Sequence, residues 1–135
     1  MPTTVSSDTM TRGIRVTVHP EYMPEHSSAM QKRFIFSYHI EIVNEGEETV
    51  QLLRRHWIII NSDGDREDVH GPGVVGYQPV LGPGQSFEYT SYCPLDTDFG
   101  TMEGTYTMID DQGEEFDVEI GRFYLVKDHV EQEDL

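Results

Sequence analysis

The chain is poor in cysteine and lysine, and it contains no long hydrophobic run. Cys93 is the only cysteine among 135 residues, which excludes an intramolecular disulfide and favours a reducing compartment, the cytoplasm. No run reaches the roughly 18 apolar residues that a transmembrane helix needs. The polar segment from Met1 to Met10 does not have the pattern of a secretory signal. The sequence therefore predicts a cytoplasmic protein that has no membrane partner.

Positive charge is also scarce. Nine Lys and Arg stand against 25 Asp and Glu, which gives a formal net charge of −16. A chain this acidic repels the phosphate backbone, so no nucleic-acid partner is expected. Its abundant carboxylates are expected to bind Mg²⁺ only weakly, and no other cofactor is predicted.

Apolar and polar residues alternate along much of the chain, and no segment has helical periodicity. The alternation is clear in residues 14–18, 34–42 and 116–120. Turn signals recur between these segments. This pattern predicts an all-β fold, a two-sheet antiparallel sandwich of the fibronectin type III-like (immunoglobulin-like) class.

Particular positions refine this prediction. Trp57 and Tyr106 are expected in the core, at the places where immunoglobulin-like sandwiches hold a core Trp and a tyrosine corner. The continuous apolar run from Trp57 to Ile60 predicts a central strand covered on both faces. The apolar register changes parity at Gly121, which predicts a β-bulge or a break in the strand. Residues 1–11 are expected to form a disordered N-terminal tail, 12–127 the sandwich domain, and 128–135 an acidic C-terminal tail.

A glycine-rich segment has the spacing of a dinucleotide-binding loop. Residues 71–76 match the pattern G-x-G-x-x-G, but Pro79 follows where that fold requires a helix. We therefore interpret the segment as a β-loop. Its glycines either let the backbone approach a ligand, with amides forming an anion-binding nest, or simply allow a tight crossing between sheets.

Candidate chemical groups are few. None of the six histidines is spaced as a local metal-binding pair, so no tight transition-metal site is predicted. Cys93 is expected to be a buried, inert thiol. The run Arg54-Arg55-His56 is either an ion pair with nearby acids or an arginine fork that reaches an anion at the glycine loop.

Several motifs, in order along nearly the whole chain, together resemble the ApaG family, also called CorD. They are Arg55-His56-Trp57, Gly71-x-Gly73-Val74-Val75-Gly76-x-Gln78-Pro79, Pro83-Gly84-x-x-Phe87-x-Tyr89-Thr90-Ser91, Cys93-Pro94-Leu95 and Gly100-Thr101-Met102-x-Gly104-x-Tyr106-x-Met108. The resemblance implies a fibronectin III-like sandwich in a small bacterial cytoplasmic protein. It also implies a genetic link to cobalt and magnesium resistance and a gene next to diadenosine tetraphosphate metabolism. Related eukaryotic domains look like protein-binding modules, and the family implies no agreed enzymatic activity.

Two functions follow as hypotheses. The first is a non-catalytic interaction module for an unknown protein. The second is a binder of a pyrophosphate-containing small molecule, such as a dinucleoside polyphosphate, with or without Mg²⁺. The sequence leaves the oligomeric state open, and a homodimer is one alternative. Both hypotheses use the same predicted site, which comprises Gly71, Gly73, Val74, Val75, Gly76, Gln78, Arg55 and His56.

The charge imbalance predicts that added salt stabilises the protein. The acidic groups repel one another, and salt screens this repulsion at low to moderate ionic strength. Thermal melts at low and high ionic strength measure the effect. A midpoint that stays level or falls with salt would show that the acids are already neutralised by local pairing.

Overall fold

The computed structural model describes residues 7–127, which form nine β-strands in two sheets. A short 3₁₀ turn, Pro24–His26, lies between the second and third strands. Over these residues no helix has the length and hydropathy to cross a membrane. The strands are β1 Ser7–Thr11, β2 Ile14–Tyr22, β3 Phe34–Asn44, β4 Val50–Asn61, β5 Arg66–Pro72, β6 Val80–Leu81, β7 Ser86–Leu95, β8 Phe99–Asp110 and β9 Glu115–Val126.

All strand pairs are antiparallel. One sheet has the order β1-β2-β3-β7, and the other has the order β5-β4-β8-β9 with the short strand β6 also paired to β4. The alternating apolar side chains of the two sheets meet between them and form one core. The predicted all-β, two-sheet antiparallel sandwich is confirmed.

The N-terminal boundary of the prediction is wrong. Ser7–Thr11, expected to be part of a disordered tail, form strand β1 and pair with β2. Side chains of β1 also bind the backbone of β9: Ser7 Oγ donates to the Gly121 carbonyl oxygen at 2.8 Å, and Thr9 Oγ1 donates to the Glu119 carbonyl oxygen at 2.8 Å. Residues 1–6 and 128–135, the rest of the predicted tails, lie outside the described residues.

Aromatic side chains join the two sheets at the centre of the core. Tyr38 of β3 contacts Trp57 of β4 and Phe123 of β9, with ring centroids 5.4 and 6.0 Å away. Nearby, the hydroxyl groups of Tyr89 and Tyr106 form a buried hydrogen bond of 2.6 Å between the sheets. The predicted burial of Trp57 and Tyr106 is confirmed. Tyr106 does not form a tyrosine corner, because its hydroxyl pairs with a side chain.

Of the bulge or break predicted at Gly121, the structure shows a β-bulge. The register of β8 against β9 shifts between Met102 and Gly104, where residues 121 and 122 of β9 face one residue of β8. A side chain at Gly121 would overlap Ser7 Oγ and the Thr9 methyl group, at 2.6 and 2.7 Å from an added Cβ. The close approach of β1 therefore requires glycine here.

The prediction that the strand from Trp57 to Ile60 is covered on both faces is wrong. β4 has neighbours on both sides within its sheet, and Trp57 is buried. Ile58 and Ile60 are only half-buried, because no second layer within residues 7–127 covers their face of the sheet. Isoleucine suits this position through its β-propensity.

Replacing Trp57 by Ala should lower the free energy of unfolding by about 3–5 kcal/mol, since it leaves a cavity where the two sheets meet. Denaturant unfolding measures the change. Tyr124→Ala is the matched control, because Tyr124 lies on the outer face and is 56% exposed. Equal effects of the two substitutions would contradict the central role of Trp57.

Candidate functional site

The glycine loop is anchored to a bulge in β4. The register of β4 against β8 shifts between Leu52 and Arg54, so Leu53 has no partner on β8. Its carbonyl oxygen instead accepts two hydrogen bonds of 2.8 Å, one from the Gly73 N–H and one from the Gln78 side-chain amide. The bulge thus supplies the acceptor that holds both ends of the loop.

Arg55 fixes the start of the loop. Its Nη1 donates to the carbonyl oxygens of Pro72 and Gly73 at 3.0 and 2.9 Å. The guanidinium lies directly over Gly71, where an added Cβ would be 2.8–2.9 Å from it. A side chain at position 71 would therefore displace the guanidinium from its present place.

The tip of the loop is a two-residue β-hairpin turn. Val74 and Tyr77 exchange two backbone hydrogen bonds of 2.8 and 2.9 Å, and both residues between them have positive φ: 42° at Val75 and 88° at Gly76. These are the features of a type I′ turn. Gly73 enters the turn with φ 60°, and a Cβ there would overlap the Tyr77 carbonyl oxygen. Gly73 and Gly76 thus serve the backbone of the turn.

Val75 is strained and exposed at the same time. A β-branched residue is disfavoured at positive φ, where type I′ turns prefer Asn, Asp or Gly. Val75 is nevertheless 49% exposed, and two apolar residues that follow it in the chain, Tyr77 and Val80, are also exposed, at 62% and 57%. The Tyr77 ring packs at 5.8 Å from Phe87. We call Val75, Tyr77 and Val80 the apolar tip.

A shallow depression of ≈ 710 Å³ adjoins the loop at the outer face of the β5-β4-β8-β9 sheet. It contains four of the predicted site residues: Arg55, His56, Gly71 and Gln78. The strands β4, β5 and β8 supply most of the other lining residues, which include Arg54, His70, Thr105, Thr107 and Asp117.

Both arginines of the depression and one of its two histidines already have partners. Arg54 forms a 2.6 Å ion pair with Glu115, and His56 Nε2 lies 2.8 Å from a carboxylate oxygen of Asp68. Arg55 is held by the loop carbonyls. The ion-pair interpretation therefore holds for Arg54. The alternative, an arginine fork that binds an external anion, does not describe Arg55, because its guanidinium binds backbone carbonyl groups of the loop.

His56 also stacks on His70, with ring centroids 4.1 Å apart. Asp68 is shared between His56 and Arg66, whose guanidinium binds it through two hydrogen bonds of 2.7 and 3.0 Å. The Arg66 and His56 hydrogen bonds hold the pKa of Asp68 below its usual range. Asp68 is therefore ionised at neutral pH.

Cys93 is confirmed as a buried thiol. Burial raises its pKa to about 12, with a smaller contribution from the negative charge of Glu67. The thiol therefore stays protonated at neutral pH, which makes it a poor nucleophile.

The structure separates the predicted site residues into two groups. Arg55, His56, Gly71 and Gln78 line the depression, while residues 73–76 build the turn. Val74 is fully buried, so its side chain cannot contact a ligand. Sequence reasoning missed Asp68, His70 and Tyr77. For Asp68 and His70, the only signal is the register of the β4–β5 hairpin. Five residues, 61–65, separate the pair Ile60 and Arg66, and counting back from that pair places His70 opposite His56.

Arg55→Ala should destabilise the protein by about 1.5–3 kcal/mol, because the loop loses its charge-assisted hydrogen bonds. Arg54→Ala is the neighbouring control and should cost less than about 1 kcal/mol, since its ion pair is exposed. Chemical unfolding gives both values, and amide hydrogen exchange at Gly73 reports the loop directly. A larger loss for Arg54→Ala would contradict the anchoring role of Arg55.

Comparisons with known proteins agree with this architecture. A family model described as the ApaG domain matches residues 24–110. Protein ApaG of Methylobacterium sp. (strain 4-46) is 54% identical over 120 residues, which cover 89% of this chain and 92% of that protein. Protein ApaG of Rhodospirillum centenum is 52% identical with the same coverage. The crystal structure of the putative ApaA protein from Bordetella pertussis superposes with a TM-score of 0.84 at 41% identity, covering 94% of this chain and all of that one. The chain belongs to the ApaG family.

Proposed function

We propose that this protein is a non-catalytic interaction module that docks another protein through its apolar tip. The observation that carries the proposal is Val75, a β-branched residue at φ 42° whose side chain is 49% exposed. Strain of this kind costs about 1–3 kcal/mol, and Asn at the same position would relieve it. A partner that binds Val75 and Tyr77 explains why an apolar side chain occupies this position.

The contacts that hold the apolar tip in place also favour docking. The turn is fixed by the Leu53 carbonyl, by the Arg55 guanidinium and by the buried side chain of Val74. A rigid projection loses little conformational entropy on binding, so more of its contact energy appears as affinity. Exposed aromatic residues such as Tyr77 are common anchors in protein interfaces.

A pyrophosphate-containing ligand, with or without Mg²⁺, is the second candidate. It is favoured by the consecutive amides of Val75 and Gly76, which donate to no acceptor within residues 7–127. Against it, both arginines of the adjoining depression are already engaged, Arg54 with a carboxylate and Arg55 with carbonyl groups. The net charge of −16 also opposes an anionic ligand. The protein-docking function is therefore the stronger proposal.

The proposal places the protein in the cytoplasm and gives it no catalytic role. The protonated state of the buried Cys93 supports this, because its thiol cannot act readily as a nucleophile. The single cysteine is consistent with a reducing compartment. The partner is either a different protein or a second copy of this chain that meets it at the same tip.

The substitution Val75→Asn tests whether the apolar tip binds a partner or is a strained turn without a function. The substitution should raise the free energy of unfolding by about 1 kcal/mol, because Asn tolerates positive φ. It should also abolish partner binding, because the exposed apolar surface is lost. Affinity capture from bacterial lysate with wild type and variant, together with denaturant unfolding, measures both effects. Sedimentation of the purified protein over a concentration series detects a homodimer.

Tyr124→Ser provides the control, since Tyr124 is similarly exposed but lies on β9. Capture that survives Val75→Asn and Tyr77→Ser, or that is lost equally with Tyr124→Ser, would overturn tip docking. Titration of labelled protein with pyrophosphate and dinucleoside polyphosphates, with and without Mg²⁺, tests the second candidate. Saturable shifts of the Val75 and Gly76 amides would support it.

A further inference from the structure

Three side chains that can bind metals converge on the outer face of the β4–β5 hairpin. One ring nitrogen of His56, one of His70 and a carboxylate oxygen of Asp68 lie within 4.8 Å of one another. His56 and His70 are direct cross-strand partners, and Asp68 shares their face because it lies two residues before His70. We propose that His56, Asp68 and His70 form a binding site for a divalent transition metal of the zinc class.

The backbone already places these ligands on one face of the hairpin, so binding requires side chains to move and leaves the strand pairing unchanged. Zinc–nitrogen bonds of about 2.0–2.1 Å hold tetrahedral ligand atoms roughly 3.3 Å apart, so the cluster must contract slightly. The rings of His56 and His70 are stacked with 14° between their planes. A coordinated metal lies in the plane of each ring, so one ring must turn. His70 is exposed, and its ring has no hydrogen-bond partner within residues 7–127.

The ligand set selects the class of metal. Imidazole nitrogens suit zinc, nickel and copper, whereas Mg²⁺ requires oxygen ligands in an octahedral arrangement. Two imidazoles and one carboxylate leave a fourth position of a tetrahedral zinc site open. Water or a donor group from a docked partner can fill it, since the cluster borders the depression beside the loop.

Arg66 is the competitor of the metal. Its guanidinium occupies both carboxylate oxygens of Asp68 at 2.7 and 3.0 Å. It orients Asp68 but also repels a cation, so the metal must displace it or share the carboxylate with it. Removing the charge at residue 66 should therefore strengthen binding, an effect that a purely structural cluster would not show.

Calorimetric titration of the full-length protein with Zn²⁺ tests the proposal. We expect one zinc per chain at this site, with ring resonances of His56 and His70 shifting together in NMR spectra. His70→Gln should weaken binding at least about tenfold, as loss of a zinc-site contact does. Arg66→Gln should strengthen binding, and Mg²⁺ should not compete.

His39→Gln is the matched control. His39 also faces a cross-strand histidine, His19, but their ring centroids are 6.4 Å apart. Thermal melts confirm that both histidine variants are folded. Zinc affinity that falls equally in His39→Gln and His70→Gln would overturn the assignment, and so would the absence of saturable zinc binding to the wild type. An unchanged affinity in Arg66→Gln would exclude Asp68 as a ligand.

Discussion

The contact between Tyr38, Trp57 and Phe123 is the interaction on which the rest of the structure depends. Tyr38 belongs to one sheet and the other two rings to the second, so their edge-on packing fixes the distance between the sheets. Aromatic side chains bury large areas, and edge-to-face pairs add directional preference. With the sheets held in this way, the hydroxyl groups of Tyr89 and Tyr106 can meet and satisfy each other in an apolar interior.

The loop is built outward from this core in steps. Trp57 lies on the same strand as the Leu53 bulge, which directs a carbonyl oxygen toward Gly73 and Gln78. The Arg55 guanidinium and the buried Val74 then fix the entry and the base of the turn. Gly73 and Gly76 have positive φ and Gly71 lies under the Arg55 guanidinium, so hairpin geometry accounts for the resemblance to a phosphate-binding pattern. The residue that this geometry does not explain is Val75.

The sequence predicts much of the fold because buried and exposed residues alternate along most strands. Alternation in residues 34–42 and 116–120 marks strands with one face in the core, and the parity change at Gly121 marks the bulge. The apolar run after Trp57 misled the prediction, because Ile is favoured in strands even on a partly exposed face. Strand β1 was missed because its polar side chains bind the backbone of β9, and such contacts have no hydrophobic period.

The candidate site was harder to predict for a similar reason. Local spacing identified the glycine segment and Arg55, since these lie close together in the sequence. The pairing of His56 with His70 depends on strand register, and the strain at Val75 depends on the turn type. Both the pairing and the strain depend on the folded backbone of the two hairpins, which local sequence spacing does not define. Local spacing compares each histidine only with its neighbours in the sequence, whereas strand register decides which histidines lie together.

The attachment of β1 to β9 has a consequence for how the sandwich meets other chains. A strand at the margin of a sheet has free backbone groups that invite pairing with a foreign strand, which is a route to aggregation. The hydroxyl groups of Ser7 and Thr9 occupy carbonyl groups of β9, and Thr11 Oγ1 accepts from the Glu119 N–H. The edges formed by β1 and β9 are therefore closed to pairing with a foreign strand. On the opposite margin, charged residues of β5 and Pro94 of β7 discourage the addition of a foreign strand.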